Sequence, residues 1–293
     1  MAFDASRIAG PGRLGATRNA APARRRCSRG FTLVEAVTVI ALTGIVGAMV
    51  GVFMKAPVTG YIGQARRAAL TDAADLALRR MARELQRALP NSVRVDATGT
   101  ALEFLPIAEA GRYRAAPDDD GNGDALDFDA PTDDRFDVLG PPVTVAAGQQ
   151  LVVYNLGLPG ADAYEGSNRR ALASAGAGLA ALAYATGGSQ FPYASPAHRF
   201  HVVATPVSFA CPPGTGMLRR YAGYPIQPAQ PAAAPLAALA GAGNALLADR
   251  ATCRFAYDAS AGARNGLVTI TLTLADEGES VTLLHQVHVD NSP

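Results

Sequence analysis

The feature that most constrains this chain is a long apolar run near its N-terminus, Phe31–Met54, in which Glu35 is the only ionisable residue. As an α-helix the run is about 36 Å long, which is enough to cross the hydrocarbon core of a bilayer. A carboxylate in such a segment costs roughly 2.5–3.5 kcal/mol at mid-bilayer and less near the interface. The sequence therefore predicts a membrane-spanning helix whose single charge needs a specific reason.

Arginines precede the apolar run and stop just before it. The first thirty residues carry seven arginines and a single acid, Asp4, whereas the rest of the chain is net acidic. The positive-inside rule places residues 1–30 in the cytoplasm and everything after Lys55 on the far side of the membrane. A secretory signal has a shorter apolar region followed by a small-residue cleavage site, which this run lacks. The acidic remainder argues against a nucleic-acid partner.

A helical pattern continues beyond the membrane-length run. Pro57 should kink or loosen the helix, and apolar residues then recur at intervals of three and four until Pro90 stops the pattern. The sequence predicts one interrupted helix over Phe31–Leu89, apolar all round in residues 31–54 and amphipathic in residues 55–89. The amphipathic half requires a globular domain to cover its apolar stripe.

Residues 90–293 are predicted to form that domain. Short alternating or β-branched segments, separated by Gly, Pro, Asn and Asp, are typical of strands. The predicted strands are Ser92–Asp96, Ala101–Leu105, Leu151–Asn155, Phe200–Phe209, Cys253–Asp258, Leu267–Leu274 and Ser280–Val289. The last two flank a turn at Asp276–Gly278, which predicts a hairpin. The predicted fold class is α+β, with a long N-terminal helix packed on an antiparallel β-sheet domain.

The stretch "RGFTLVE", Arg29–Glu35, resembles the processing signal of type IV pilins and pseudopilins. It has a basic leader, a glycine, an aromatic first mature residue and a glutamate four residues further on. The resemblance implies that a prepilin peptidase cuts after Gly30 and that the new amino group on Phe31 is N-methylated. It also implies a pilin-like fold, and a mature chain that is built into a filament through its N-terminal helix.

Within that family the chain is most similar to a minor pilin of MSHA-type pili. The similarity lies in the amphipathic stretch "GYIGQARRAALTDAADLALRRMARELQRALPNSVRV" and the C-terminal stretch "GLVTITLTLADEGESVTLLHQVHVDNSP". A minor pilin of this type can belong to an initiating or tip complex. Two alternatives stay open at this point: a J-type minor pseudopilin of a type II secretion system, and a pilus-displayed adhesin or ligand-binding module.

Glu35 has a physical role under this interpretation. Cleavage after Gly30 creates a positive charge on Phe31 at the membrane face, and Glu35 lies about one helical turn from it. An opposite charge in a low-dielectric medium offsets the free-energy cost of the carboxylate. The attraction is strong only when the two charges are close, so it favours one axial register between neighbouring helices. We expect Glu35 to pair with the Phe31 amine of an adjacent subunit. The alternative is that Glu35 reaches the cytoplasmic surface and pairs with nothing.

The chain has three cysteines, of which Cys27 lies in the basic leader. Cys211 and Cys253 lie far along the chain with neither CxxC nor metal-like spacing, so a disulfide between them is the economical interpretation in an exported domain.

The acidic stretch "DDDGNGDALDFD" partly fits the calcium-binding loop of EF-hands. The candidate ligands are Asp118, Asp120, Asn122, Asp124 and Asp129. Asp replaces the usual bidentate Glu and no helices flank the loop, so a solvated turn is the alternative. No other cofactor is expected.

No nucleophile elbow, phosphate loop or Cys/His dyad occurs in the sequence, so we expect no enzyme. The expected partners are major and minor pilins, a prepilin peptidase and the inner-membrane assembly machinery. The expected location is the inner membrane, with a single span, a cytoplasmic N-terminus and a periplasmic domain, and then the cell-surface pilus.

Overall fold

A computed structural model describes residues 30–259 and 264–293 of the chain. The predicted basic leader, residues 1–30, therefore lies outside the described residues except for Gly30. The contacts within the chain define two units with the boundary after Val58, and the second unit is Thr59–Pro293.

The N-terminal helix, α1, spans Leu33–Leu85 and continues through Pro57, where the sequence predicts an interruption. It is shorter than the predicted helix at both ends. At its C-terminal end the backbone pairs with a neighbouring segment instead: the Leu89 N–H donates to the Leu105 carbonyl at 2.7 Å, and the Ile107 N–H donates to the Arg87 carbonyl at 2.8 Å.

The remaining elements are one short helix and many short strands. In chain order they are β1 (Arg94–Val95), β2 (Ala101–Phe104), β3 (Ile107–Tyr113), β4 (Arg135–Leu139), β5 (Val143–Val145), β6 (Gln150–Val153), β7 (Arg169–Ala171), β8 (Gly176–Leu179), β9 (Ala181–Ala183), β10 (Arg199–Val203), β11 (Val207–Ala210), β12 (Met217–Ala222), α2 (Ala233–Ala240), a 3₁₀ turn (Gly241–Gly243), β13 (Ala245–Asp249), β14 (Ala251–Asp258), β15 (Asn265–Asp276) and β16 (Glu279–Asp290).

In the described part of the chain the strands form four antiparallel sheets, which confirms the α+β class. The sheet orders are β1-β2-β11-β12-β13, β7-β6-β10-β3-β4-β9, β14-β15-β16 and β5-β8. The strand predicted over Phe200–Phe209 is in fact two, because β10 and β11 belong to different sheets. Pro206 lies between them and has no N–H to donate to a ladder.

The second part of α1 packs on the five-stranded and three-stranded sheets. Its buried residues repeat at helical spacing and include Leu70, Leu78, Met81 and Leu85, in one core with apolar residues of both sheets. The amphipathic prediction for residues 55–89 is thus matched by a buried stripe. The opposite face of the five-stranded sheet is covered by α2, whose Leu236 packs with aromatic residues from and just after β12.

The six-stranded sheet belongs to a segment inserted between two neighbouring strands. β2 and β11 pair directly, yet residues 107–203 lie between them in sequence and form β3 to β10. This inserted module has its own core, built mainly around aromatic side chains such as Tyr113, Phe136, Tyr184 and Phe200. A smaller cluster joins the module to the residues around the end of α1.

The β15–β16 hairpin is confirmed, including its turn. Asp276 pairs with Glu279 across a two-residue loop, and the register then continues without a bulge to Asn265 and Asp290. Glu277 and Gly278 both have positive φ, 44° and 88°, as a type I′ turn requires. Two long strands are therefore locked in one register.

Candidate processing and assembly site

The residues before α1 form a short non-helical segment. Gly30, Phe31 and Thr32 precede the first helical residue, and the Phe31 side chain is 75 % exposed. A side chain built on Gly30 would meet no atom within 4 Å. The Gly30–Phe31 peptide bond is therefore outside the helix and sterically open, as an endopeptidase substrate needs to be.

Thr32 caps the helix and defines where it begins. The Glu35 N–H donates to the Thr32 hydroxyl at 3.3 Å, and the Ala36 N–H donates to the Thr32 carbonyl at 3.1 Å. Thr32 and Glu35 thus have the sequence spacing of a T-x-x-E capping box, of which the Thr32 half is formed. The sequence analysis missed this signal, which is visible in "TLVE".

The carboxylate of Glu35 makes no hydrogen bond or ion pair with the residues that the structure describes. It lies in the first turn of α1, where the helix dipole favours negative charge. Glu35 is thus free to accept a cation from outside the described chain.

The surface of the apolar run is uncovered. Every described side chain from Phe31 to Lys55 is exposed, and the run is long and apolar enough to cross a membrane. The hydroxyls of Thr38 and Thr43 donate to helix carbonyls, the latter to Val39 at 2.6 Å. These hydroxyls therefore need no water, which suits a lipid or helix-packed environment.

Three glycines of the apolar run leave room for close contact. A side chain added at Gly44, Gly47 or Gly51 would meet nothing within 4 Å. No packing within the described chain therefore requires a glycine at these positions. Gly47 and Gly51 have the spacing of a G-x-x-x-G motif, which permits close approach of a second helix in a membrane.

The predicted disulfide is present. Cys211 and Cys253 are bonded, with their Cα atoms 5.9 Å apart and 42 positions apart in sequence. Cys211 follows β11 and Cys253 lies in β14, so the bond joins the five-stranded and three-stranded sheets beneath α1.

The acidic loop forms an Asx turn. The Asp118 carboxylate accepts hydrogen bonds from the N–H groups of Asp120 and Asn122, at 3.2 and 2.6 Å. Asp124 lies 3.7 Å from the Arg135 guanidinium. Among the described residues, no three Asp, Glu, His or Cys side chains are grouped as metal ligands. Calcium binding by these residues and Asp129 stays a prediction.

A buried polar network lies under the five-stranded sheet and was missed by the sequence analysis. Arg94 forms an ion pair with Glu103, and its guanidinium lies 3.6 Å from the Tyr164 ring centroid. The Tyr224 hydroxyl donates to the same carboxylate at 2.9 Å. Burial raises the pKa of Glu103, although Arg94 and Tyr224 act in the opposite direction. No local pattern in the sequence pairs residues from four separate segments.

Comparison with known proteins addresses the N-terminal segment only. A family model described as the prokaryotic N-terminal methylation motif matches residues 25–51. The match supports the interpretation of this segment as type IV pilin-like. A search of curated proteins and a search of solved structures each found no match.

Proposed function

We propose that this chain is a minor pilin of an MSHA-like type IV pilus. In this proposal the chain is cut between Gly30 and Phe31, N-methylated on Phe31, and built into the filament through residues 31–54. Residues 55–89 and the β domain of residues 90–293 then lie on the outside of the helical core. The role is assembly and not catalysis.

The observation that carries the proposal is the combination at the start of α1. An open Gly30–Phe31 bond precedes a capped helix whose apolar surface is uncovered and whose one carboxylate has no partner in the described chain. Such a helix is stable in a membrane before assembly, and in a filament the helices of other pilins can replace the lipid around it. The methylation motif over residues 25–51 supports the same role.

Processing is tested by the mass of the mature protein. In a host with a prepilin peptidase, we expect the loss of residues 1–30 and the gain of one methyl group on Phe31. Gly30→Leu should block cleavage without disturbing the described fold, because space around Gly30 is open. A mature wild-type chain that still carries its leader would contradict the proposal.

Glu35 can be tested in a way that separates its two possible roles. Glutamine is as good as glutamate at the last position of a capping box but carries no charge. If Glu35 pairs with the Phe31 amine of a neighbouring subunit, Glu35→Gln and Glu35→Ala should both lower incorporation into pili at least tenfold. Wild-type incorporation of Glu35→Gln would instead show that Glu35 pairs with nothing during assembly.

Deleting the gene distinguishes the minor pilin from its alternatives. Loss of pili supports the proposed role in assembly. Normal pili with retained exoproteins would point to a type II secretion pseudopilin, and normal pili that no longer adhere would point to an adhesin.

Calcium binding by the loop at Asp118 is tested by calorimetry of the full chain in detergent micelles. We expect heat of binding at millimolar calcium that disappears in the Asp118→Asn, Asp120→Asn double variant, because carboxylates supply most calcium ligands. Equal heats for both proteins, or none for the wild type, would remove the site.

A further inference from the structure

The outer edge of β16 has no strand paired to it among the described residues. β16 is the last strand of the β14-β15-β16 sheet and pairs with β15 alone. The opposite edge is partly closed, because the Phe255 N–H of β14 donates to the Gly99 carbonyl and the Ala251 N–H to the Gly216 carbonyl. No comparable backbone bond runs outward from residues 280–288 to any described residue.

The hairpin geometry identifies which backbone groups of β16 are unpaired. In a two-residue turn the flanking residues, here Asp276 and Glu279, form a hydrogen-bonded pair, and such pairs alternate along an antiparallel ladder. The odd-numbered residues of β16 therefore bond to β15. The N–H and C=O groups that point to the open edge belong to Ser280, Thr282, Leu284, Gln286 and His288, whose side chains are all exposed.

This edge lacks the features that normally prevent strand pairing. Soluble proteins protect edge strands with lysine, proline, bulges or short length. β16 has twelve residues, no lysine, no proline and an uninterrupted register. Leu284 is 64 % exposed at its centre. A long regular strand of this kind is a template for another strand.

The strand is complementary to itself. When two copies pair antiparallel about Leu284, Leu284 lies opposite Leu284 of the second copy. Thr282 then faces Gln286 of that copy, and Ser280 faces His288. The acids at the two ends, Glu279 and Asp290, face Val289 and Gly278, so no like charges are opposed. Each of the five outward-pointing residues donates one backbone hydrogen bond and accepts one.

We propose that β16 is a homodimerisation edge, at which a second copy of this chain adds its own β16 in antiparallel register centred on Leu284. The two three-stranded sheets then become one continuous six-stranded sheet. The contact is isologous, so it closes at two copies and does not propagate into a fibre. It is independent of the N-terminal helix and of the proposed pilin role.

Site-specific cross-linking of the full chain in detergent micelles tests the register. Leu284→Cys is combined with Cys27→Ser. Because Cys211 and Cys253 form a disulfide, the thiol introduced at position 284 is then the only free one. A short bismaleimide should cross-link two copies at position 284. Thr252→Cys is the matched control, since Thr252 is exposed on the same sheet but on β14. We expect at least tenfold less dimer from this control.

A charge at the same position gives a second measurement. Leu284→Lys places two ammonium groups opposite each other and should shift the protein from dimer to monomer in light scattering. Thr271→Lys, on the neighbouring strand β15, should leave the dimer intact. Because Leu284 is exposed, the Leu284→Lys variant should fold normally. Formation of the Cys211–Cys253 disulfide is the check that it has folded. A monomeric wild type, equal cross-linking at 252 and 284, or a dimer unaffected by Leu284→Lys would each overturn the proposal.

Discussion

His201 is a buried histidine with an unpaired nitrogen. It lies in β10, is 8 % exposed, and its Nδ1 atom has no hydrogen-bond partner in the described chain. Burial, reinforced by the charge of Arg199, lowers the pKa of His201 to about 4, although Asp290 acts in the opposite direction. The folded domain therefore holds this imidazole in its neutral form, whereas the unfolded chain protonates it near pH 6.5.

This pKa difference predicts a loss of stability in acid. Because the folded pKa is depressed, the contribution is fully present above pH 6.5 and is lost as the pH falls towards 4. The loss approaches roughly 3 kcal/mol at 1.36 kcal/mol per pKa unit. His201→Leu should make denaturation midpoints less pH-dependent over that window, when followed by circular dichroism. His198→Asn, which alters an exposed histidine outside β16, should keep the wild-type slope. Equal slopes for both variants would contradict the prediction.

Single residues could be predicted from the sequence where the pattern is local. The T-x-x-E pattern at Thr32 and Glu35 is contained in four consecutive residues, so it was available although it was missed. The pairing of Cys211 with Cys253 followed from having few cysteines. The contact between Arg94 and Glu103 could not be predicted, because the buried environment that makes it matter is built by segments distant in sequence.

On the scale of one element, α1 has faces of opposite character after residue 59. Met81 is completely buried against the sheets, whereas Leu76 is 68 % exposed on the same helix. Met81→Ala should therefore lower the free energy of unfolding by about 2–5 kcal/mol, because it leaves a cavity. Leu76→Ala, the matched control, should change it by less than about 0.5 kcal/mol. Chemical denaturation followed by circular dichroism measures both, since the chain has no tryptophan. Similar losses for the two variants would mean that the helix faces are assigned wrongly.

Long regular elements were predictable and short irregular ones were not. The β15–β16 hairpin alternates apolar and polar residues over two strands, which is a strong signal. By contrast, β8 is "GAGL", β9 is "ALA" and α2 is "AAPLAALA". Alanine and glycine have low intrinsic preference for strands, so pairing with distant partners defines β8 and β9. Alanine favours helices, but α2 has only eight residues and contains Pro235, so its helical pattern is too short to predict.

For the molecule as a whole, the Cys211–Cys253 bond is a long-range tie between two sheets. Closing a loop of this length in the unfolded chain is worth about 4 kcal/mol on the chain-entropy model. The Cys211→Ala, Cys253→Ala double variant should therefore unfold at lower denaturant concentration, and wild type in reducing agent should approach it. Reducing agent should have no effect on the double variant. A wild-type midpoint unchanged by full reduction would show that the tie adds nothing to stability.

The inserted module also bears on the order in which the domain can form. Synthesis from the N-terminal end delivers β2 long before β11, the strand that must lie beside it in the five-stranded sheet. Residues 107–203 are synthesised before β11. Because they have their own aromatic core, they can fold before β11 is available. Once they have folded, Ile107 and Val203 are paired neighbours, so the effective loop between β2 and β11 is short. We expect early folding of the insertion to speed closure of the main sheet.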